Sequence, residues 1–195
     1  ANPVIVETGA GPLPCRWEAS GDTTFQVEVD MGPGRSDGED VFLDQLHGLT
    51  GLAVPPRPVR GLRVSTGNPH VVFFDRFTGD ELRAWGPPVT HSAAFPEGVN
   101  AEFAELRGPG QVRLVVHERG AGFTLACGTG ACATVAAGVR AGLLPSDEPV
   151  EVTLPGGILR IVHRSSDGHL LMRGPAVEVF EGVVDAELAG GRDRG

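Results

Sequence analysis

Residues 117–130 contain the most chemically informative side chains of this sequence, including a cysteine directly before a predicted helix. Cys127 is followed by Gly128, Thr129 and Gly130, and then by a run of small residues. Backbone N–H groups at such a turn can face an anion, and the helix dipole adds positive potential. We therefore expect Cys127 to have a lowered pKa and to be partly a thiolate near neutral pH, as a catalytic acid, base or nucleophile requires. The alternative is a small, inert core side chain, which is the usual fate of a free cysteine.

A charged pair, Glu118 and Arg119, lies a few residues before this cysteine. Arginine can bind a carboxylate through two parallel hydrogen bonds, and a glutamate can accept hydrogen bonds from an ammonium group. The pair is therefore a candidate clamp for the charged groups of an amino acid beside a reactive thiol. The alternative is an ordinary solvated pair at the end of a strand.

Two asparagines in turn-like segments are further candidates. Asn68 and His70 flank a proline, and Asn100 ends a Gly-Val-Asn segment. Each asparagine could hydrogen-bond a substrate, and His70 could tune the ionisation of a nearby thiol. Both segments are equally compatible with structural turns, since asparagine before proline is a turn former.

The remaining cysteines and histidines indicate no second reactive centre. Cys132 lies inside the predicted helix and should pack in the core, and Cys15 has no activating neighbour. The cysteine spacing fits neither a disulfide framework nor a zinc site, so we expect reduced thiols and no metal. No role is assigned to the scattered histidines His47, His91, His117, His163 and His169.

The composition argues against several classes of protein. The 195 residues carry a formal net charge of -9 without a basic cluster, which argues against a nucleic-acid partner. No apolar run approaches the roughly 20 residues of a membrane helix, and the start does not look like a signal peptide. All 16 basic residues are arginines, so there is neither a Schiff-base lysine nor a P-loop lysine.

Short strands around one small-residue helix should position these side chains. The helix is predicted over 131–141 with Gly142 as its cap, and it is apolar on nearly all sides, so it must be buried on all sides. A short helix is predicted over 80–85, stopped by Gly86, Pro87 and Pro88. Strands are predicted at 4–6, 25–31, 62–65, 71–74, 112–116, 150–154, 158–162, 170–172 and 177–180.

These elements predict an α/β (α+β) fold with a mostly antiparallel, curved sheet wrapped round a central buried helix. No internal repeat stands out.

Four segments carry a resemblance to a known family: Gly-Asn-Pro-His at 67–70, Phe-Pro-Glu-Gly-Val-Asn at 95–100, the motif from Glu-Arg to Cys-Gly-Thr-Gly at 118–130, and Met-Arg-Gly-Pro-Ala at 172–176. Their order and spacing resemble diaminopimelate epimerase, a cofactor-independent amino-acid epimerase. The long motif at 118–130 is the most specific of the four.

The resemblance implies the epimerase fold and a two-base mechanism. One cysteine thiolate removes an α-proton, and a second cysteine thiol reprotonates the opposite face. Cys127 would be one of the two, with His70 and Glu118 tuning the thiols. The implied reaction converts LL-diaminopimelate to meso-diaminopimelate in lysine biosynthesis, in a cytoplasmic homodimer without a cofactor. The resemblance assigns substrate contact to Asn68, Asn100, Glu118, Arg119, Gly128 and Thr129.

The family's other cysteine lies in an N-terminal Cys-Gly-Asn-Gly motif that this sequence lacks. We therefore expect residues 1–34 to be the end of the N-terminal epimerase domain and 35–175 to be the C-terminal domain. Residues 176–195 should be a strand returning to the first domain, plus a tail. The chain alone should then be inactive, with the missing half coming from the same or another chain.

Two alternatives stay open. The first is another racemase or epimerase of the same fold, acting on a different amino acid. The second is a non-catalytic protein that keeps the pocket but lacks the chemistry.

Overall fold

The structure is a computed structural model, and it describes residues 2–8, 11–43, 45–46 and 58–184. Two helices lie entirely within these residues, α1 (Gly79–Thr90) and α2 (Gly128–Arg140). The described strands are β1 (Val4–Thr8), β2 (Gly11–Ala19), β3 (Thr24–Pro33), β4 (Arg35–Ser36), β5 (Val41–Phe42), β6 (Arg60–Ser65), β7 (Pro69–Phe74), β8 (Asn100–Gly108), β9 (Gln111–Glu118), β10 (Gly122–Phe123), β11 (Pro149–Leu154), β12 (Gly157–His163) and β13 (His169–Val177). His47 and the tail beyond residue 184 lie outside the described residues.

All thirteen described strands belong to one sheet. Its order is β1-β2-β3-β13-β12-β11-β9-β8-β7-β6-β4, with β10 added to β9 and β5 added to β6. The pairs β7–β8 and β9–β11 are parallel, and the other described pairs are antiparallel. The sheet is therefore mostly antiparallel, as predicted.

Helix α2 lies at the centre of this sheet. Its residues from Gly130 to Gly138 are all buried, and it contacts β12 and β13 on one side and β6, β7 and β8 on the other. Because strands from both parts of the sheet contact one helix, the sheet curves round it. The small side chains of α2 allow this close approach, and the predicted fold class is confirmed.

The predicted cap of α2 is also confirmed. Gly142 adopts a positive φ of 71°, and its N–H bonds the Val139 carbonyl at 3.0 Å. The following Leu143 N–H bonds the Gly138 carbonyl at 2.8 Å, so the last carbonyls of the helix are satisfied.

Helices α1 and α2 pack against opposite faces of the sheet. Trp85 and Val89 of α1 pack against Phe73 and Phe103. The prediction that this helix stops before Gly86 is wrong, because it continues through Pro87 and Pro88 to Thr90. Val89 is buried in a second hydrophobic core with these aromatic residues. The free energy gained by this burial exceeds the cost of the backbone hydrogen bonds that Pro87 and Pro88 cannot donate. Neither α1 nor α2 has the length and apolar character required of a membrane-crossing helix.

The strand prediction is wrong at 177–180, and it misses the long strands β2 and β8 and the two-residue strands β4, β5 and β10. The predicted strand over 177–180 is wrong, because β13 ends at Val177. Sequence analysis misses β2 because prolines are rare inside sheets. Pro12 and Pro14 are tolerated here because they lie where β2 pairs with β1 but not with β3. Sequence analysis also misses β8, because its first polar residues lie on a buried face. The alternation rule expects apolar side chains on such a face.

The structure contains an internal repeat that the sequence pattern did not reveal. Strands β1–β3 and β11–β13 are both antiparallel three-stranded units, and they meet where β3 pairs with β13. The row of paired residues across this junction is Val4–Cys15–Val29–Met172–Ile161–Val150. The two units are thus related by a local two-fold axis between Val29 and Met172, although no repeat stands out in the sequence.

Candidate active site

The sequence-predicted site residues come together at one edge of the sheet. Strands β7 and β8 are parallel and pair His70 with Asn100, so both strands begin at this edge. Strand β9 runs antiparallel to β8 and therefore ends there, bringing Glu118 and Arg119 beside them. The N-terminal turn of α2 adds Cys127 and Thr129. The topology thus explains why residues as distant in sequence as Asn68 and Thr129, 61 positions apart, form one group.

Cys127 is the N-cap residue of α2. Its backbone is extended, with φ of -139° and ψ of 106°, and its Sγ accepts a hydrogen bond from the Gly130 N–H at 3.4 Å. Thr129 Oγ1 lies 3.5 Å from the same sulfur. A cysteine here takes the place of the serine or aspartate that usually caps a helix. The sulfur therefore lies at the positive end of the helix dipole.

The expectation that Cys127 has a lowered pKa is wrong. Only 8% of the residue is exposed, and burial raises the pKa of its thiol. Hydrogen bonds from Thr129 and the Gly130 amide lower this pKa in part, whereas the negative charge of Glu118 adds to the increase. The sequence indicated the helix turn correctly, but it could not show how deeply the sulfur is buried.

His70 does not contact Cys127 directly. Its Nε2 lies 2.9 Å from Asn68 Oδ1, and its Nδ1 lies 2.7 Å from Glu102 Oε1. Asn68 Nδ2 in turn donates to Thr129 Oγ1 at 3.5 Å. His70 is therefore connected to the cysteine turn through Asn68 and Thr129.

Asn100 and Arg119 form a second connected pair. Asn100 Oδ1 accepts a hydrogen bond from the Arg119 backbone N–H at 2.9 Å, and its Nδ2 donates to the Pro69 carbonyl at 3.3 Å. The Arg119 side chain donates from Nη1 to the Glu97 carbonyl at 2.6 Å. Among the described residues the guanidinium makes this one hydrogen bond, so its other N–H groups can bind an anion.

Glu118 is oriented by Thr124, whose hydroxyl donates to Glu118 Oε1 at 2.5 Å. The strand pairing of Phe123 with His117 brings Thr124 to this position.

Sequence analysis missed Glu102, which is fully buried beside the site. Asn100 and Glu102 have the same i, i+2 spacing as Asn68 and His70. The parallel strands pair His70 with Asn100, while Asn68 lies just before β7. This matched spacing was the available signal. Thr66, which donates to Asn68 Oδ1 at 3.3 Å, carried no comparable signal.

The other two cysteines form no hydrogen bond with the site residues within the described part of the chain. Cys132 is fully buried in α2, where burial raises the pKa of its thiol. Cys15 lies half-buried on β2. In the described ranges no three His, Cys, Asp or Glu side chains are arranged to hold a metal ion.

The sequence profile of diaminopimelate epimerase matches residues 62–179, which include all of the site residues above. The chain belongs to the diaminopimelate epimerase family. It is 41% identical over 190 residues to the diaminopimelate epimerase of Acidiphilium cryptum, covering 96% of this chain and 66% of that protein. It is 40% identical to the enzyme of Rhodospirillum centenum, covering 96% of this chain and 63% of that protein. The chain thus spans about two-thirds of the length of these members of the diaminopimelate epimerase family.

A solved structure supports the fold independently. A probable proline racemase from Agrobacterium radiobacter superimposes with a TM-score of 0.65 over 94% of this chain and 60% of that chain. The sequence identity is 14%, so this likeness shows a shared fold and no more.

Proposed function

We propose that this chain contributes one of two cysteine bases, and much of the substrate pocket, to a cofactor-independent epimerase that converts LL-diaminopimelate to meso-diaminopimelate. The observation that carries the proposal is the position of Cys127. Its sulfur caps α2 at the same edge of the sheet as Asn68, Asn100, Glu118 and Arg119. On the family resemblance alone, the proposal extends to a cytoplasmic homodimer in lysine biosynthesis.

The pocket offers groups of both signs. Glu118 can accept hydrogen bonds from a substrate ammonium group, and the free N–H groups of Arg119 can bind a distal carboxylate. Gly128 and Thr129 lie in the first turn of α2, where backbone N–H groups have no intrahelical partner. These amides can accept the negative charge that spreads onto the α-carboxylate when the α-proton leaves.

The proton balance of the reaction is simple. The Cys127 thiolate takes the α-proton from one face and becomes a thiol, and the electron pair of the broken C–H bond stays on the substrate as a carbanion. A second thiol donates its proton to the opposite face and becomes a thiolate. In the reverse direction the two sulfurs exchange roles.

The internal repeat supports a second base on the other side of β3 and β13. Helix α2 covers Val150 and Ile161, which are both fully buried. Their counterparts across the local two-fold axis are Val4, which is 43% exposed, and the half-buried Cys15. Within the described residues no helix covers Val4. A polypeptide that covered this face as α2 covers its own would place a second helix N-terminus opposite Cys127.

Proton exchange with solvent tests the proposal. The chain is incubated in D2O with LL- or meso-diaminopimelate, and deuterium at the α-carbon is followed by NMR. A single base on one face predicts exchange in only one of the two substrates, without epimerisation. Adding a polypeptide with the family's Cys-Gly-Asn-Gly region should restore epimerisation.

Two substitutions provide the controls. Cys127→Ala should abolish exchange, whereas Cys15→Ala should retain it. Exchange that survives Cys127→Ala, or exchange of proline in preference to diaminopimelate, would contradict the proposal. Binding of diaminopimelate without any exchange would favour a non-catalytic protein.

A further inference from the structure

A buried carboxyl group lies beneath the first turn of α2. Glu102 is fully buried, and a Cβ atom placed on Gly130 would lie 2.9 Å from its Oε1. Oε1 contacts His70 Nδ1 at 2.7 Å, whereas Oε2 has no hydrogen-bond partner among the described residues. An ionised carboxylate with a bare oxygen is strongly disfavoured in such a place, so the neutral acid is the stable form.

The hydrogen bonds around His70 lead to the same conclusion. Asn68 Oδ1 can only accept a hydrogen bond, so the His70 Nε2 facing it at 2.9 Å carries a proton. The Thr66 hydroxyl lies 3.3 Å from the same oxygen and 3.4 Å from the Thr129 carbonyl, and it can donate to either. In a neutral imidazole Nδ1 is then an acceptor, and its partner Glu102 must donate. Burial lowers the pKa of His70 to about 4. Burial also raises the pKa of Glu102 well above its usual value, although the backbone N–H groups of Val71 and Glu102 lower it in part. Both shifts favour the neutral forms.

In the series from Glu102 through His70, Asn68 and Thr129 to Cys127, each residue can donate a hydrogen bond to the next. His70 donates to Asn68, and Asn68 Nδ2 donates to Thr129 Oγ1 at 3.5 Å. Because Thr129 Oγ1 accepts this hydrogen bond, its own proton can point at Cys127 Sγ, also 3.5 Å away. We propose that Glu102 is a positioning residue that, as a neutral acid, orients His70, Asn68 and Thr129 so that the last of them donates to Cys127 Sγ and favours its thiolate.

An ionised Glu102 would reverse this direction. It would draw the His70 proton to Nδ1, so that Nε2 became an acceptor and Asn68 turned its NH2 toward it. Thr129 would then donate to the asparagine oxygen and no longer to the sulfur. A negative charge on Glu102 also raises the pKa of Cys127 directly. Of the other charged groups, Glu118 acts on both His70 and Glu102, whereas Arg119 and Asp37 act on His70.

The inference rests on the proposed role of Cys127, but its test needs no turnover. Two-bond 15N–1H correlation spectra of the 195-residue chain report which ring nitrogen of His70 carries the proton, with His70→Gln used for assignment. We expect a neutral ring protonated at Nε2 near pH 7. A doubly protonated ring, or a proton at Nδ1, would overturn the proposal even if the chain exchanges α-protons.

Alkylation of Cys127 by iodoacetamide, followed by peptide mass spectrometry, gives the second measurement. Glu102→Gln retains an N–H donor toward His70 and should keep both the Nε2 proton and the alkylation rate. Glu102→Met removes the donor and should slow alkylation near pH 7 about tenfold, as loss of one hydrogen bond to a charged sulfur implies. Glu105→Gln, on the same strand but at the surface ion pairs, should change neither signal.

Two results would overturn the proposal in this arm. Equal alkylation rates in Glu102→Met and the unsubstituted chain would show that no donor chain reaches the sulfur. A rate lowered as much by Glu102→Gln as by Glu102→Met would show that Glu102 acts only through shape or charge. If Glu102→Met fails to fold, the His70 spectrum and Glu102→Gln still decide.

Discussion

Asn100 Oδ1 accepts the backbone N–H of Arg119 at 2.9 Å, so the start of β8 holds the end of β9 in place. Asn100 is 5% exposed, and the Pro69 carbonyl takes its amide N–H. Both ends of the side chain are thus bound to backbone groups. This arrangement makes Asn100 a support for Arg119 as well as a candidate substrate contact.

Asn100→Ala should therefore destabilise the fold and weaken binding at Arg119. It leaves two polar backbone groups without partners at a nearly buried position, and we expect a loss of about 1–3 kcal/mol in the free energy of unfolding. Urea denaturation measures this loss. Thr153→Ala, at an exposed position of β11, is the control and should stay within about 0.5 kcal/mol. A stability of Asn100→Ala equal to that of the control would show that water replaces the side chain without cost.

Gly98 and Gly120 provide a matched pair for the position of Arg119. Both have a positive φ, of 71° and 85°. A Cβ on Gly98 would lie 2.7 Å from Arg119 Cδ, whereas a Cβ on Gly120 would meet nothing within 4 Å. Both alanine variants should lose about 1 kcal/mol from backbone strain. Only Gly98→Ala should also weaken diaminopimelate binding, because it displaces the Arg119 side chain.

Isothermal titration with diaminopimelate checks this difference, beside urea denaturation of both variants. An affinity reduced equally in the two variants would mean that backbone strain, and not the place of the guanidinium, controls binding.

Helix α2 shows which parts of the fold could be predicted from the sequence. A run of small apolar residues that ends in a glycine cap predicts a buried helix from local sequence alone. Cys127 could be predicted as a candidate residue because it directly precedes this helix. Strand β8 could not be predicted in this way. On β8, Ala101 and Phe103 face α1, while Asn100 and Glu102 face α2. Both sides of the strand are therefore interior, and a polar residue no longer indicates a solvent-exposed position.

The candidate site was predictable residue by residue but not in its connections. Asn68 and His70 were selected for their types, and the structure places both at the site. That His70 faces Glu102 depends on the parallel pairing of β7 and β8, which joins segments 30 residues apart. The pKa of Cys127 likewise depends on tertiary burial, and local sequence contains only the opposing helix contribution.

Thr129→Val should slow alkylation of Cys127 at fixed pH. The Thr129 hydroxyl lowers the pKa of the sulfur, and valine removes this donor with little change of shape. Because only the thiolate reacts, we expect a rate several-fold lower at pH 8 and a titration midpoint displaced to higher pH. Thr153→Val is the surface control and should leave both unchanged. An unaltered midpoint in Thr129→Val would show that the hydroxyl does not donate to the sulfur.

The buried pair Glu102 and His70 should give opposing dependences of stability on pH. The pKa of Glu102 is raised above 4.5 on folding, so its contribution is present below about pH 4.5 and is lost as pH rises toward the folded pKa. The pKa of His70 is lowered from 6.5 to about 4, so its contribution is present above about pH 6.5 and is lost as pH falls to about 4. From pH 4.5 upward the two slopes oppose each other. Above pH 6.5 the slope of His70 ends, and the slope of Glu102 continues as long as Glu102 stays neutral in the folded state.

Glu102→Gln should remove one of these slopes and leave the other. The free energy of unfolding of the unsubstituted chain, relative to the variant, should decrease with rising pH by up to about 1.4 kcal/mol per unit. The variant alone should gain stability from pH 4 to 6.5, because its His70 still deprotonates on folding. Urea denaturation followed by the fluorescence of the buried Trp85 measures both, and Glu105→Gln should reproduce the pH dependence of the unsubstituted chain. Parallel curves for Glu102→Gln and the unsubstituted chain above pH 6.5 would mean that Glu102 is already ionised in the folded state, since a neutral buried acid must lose stability there.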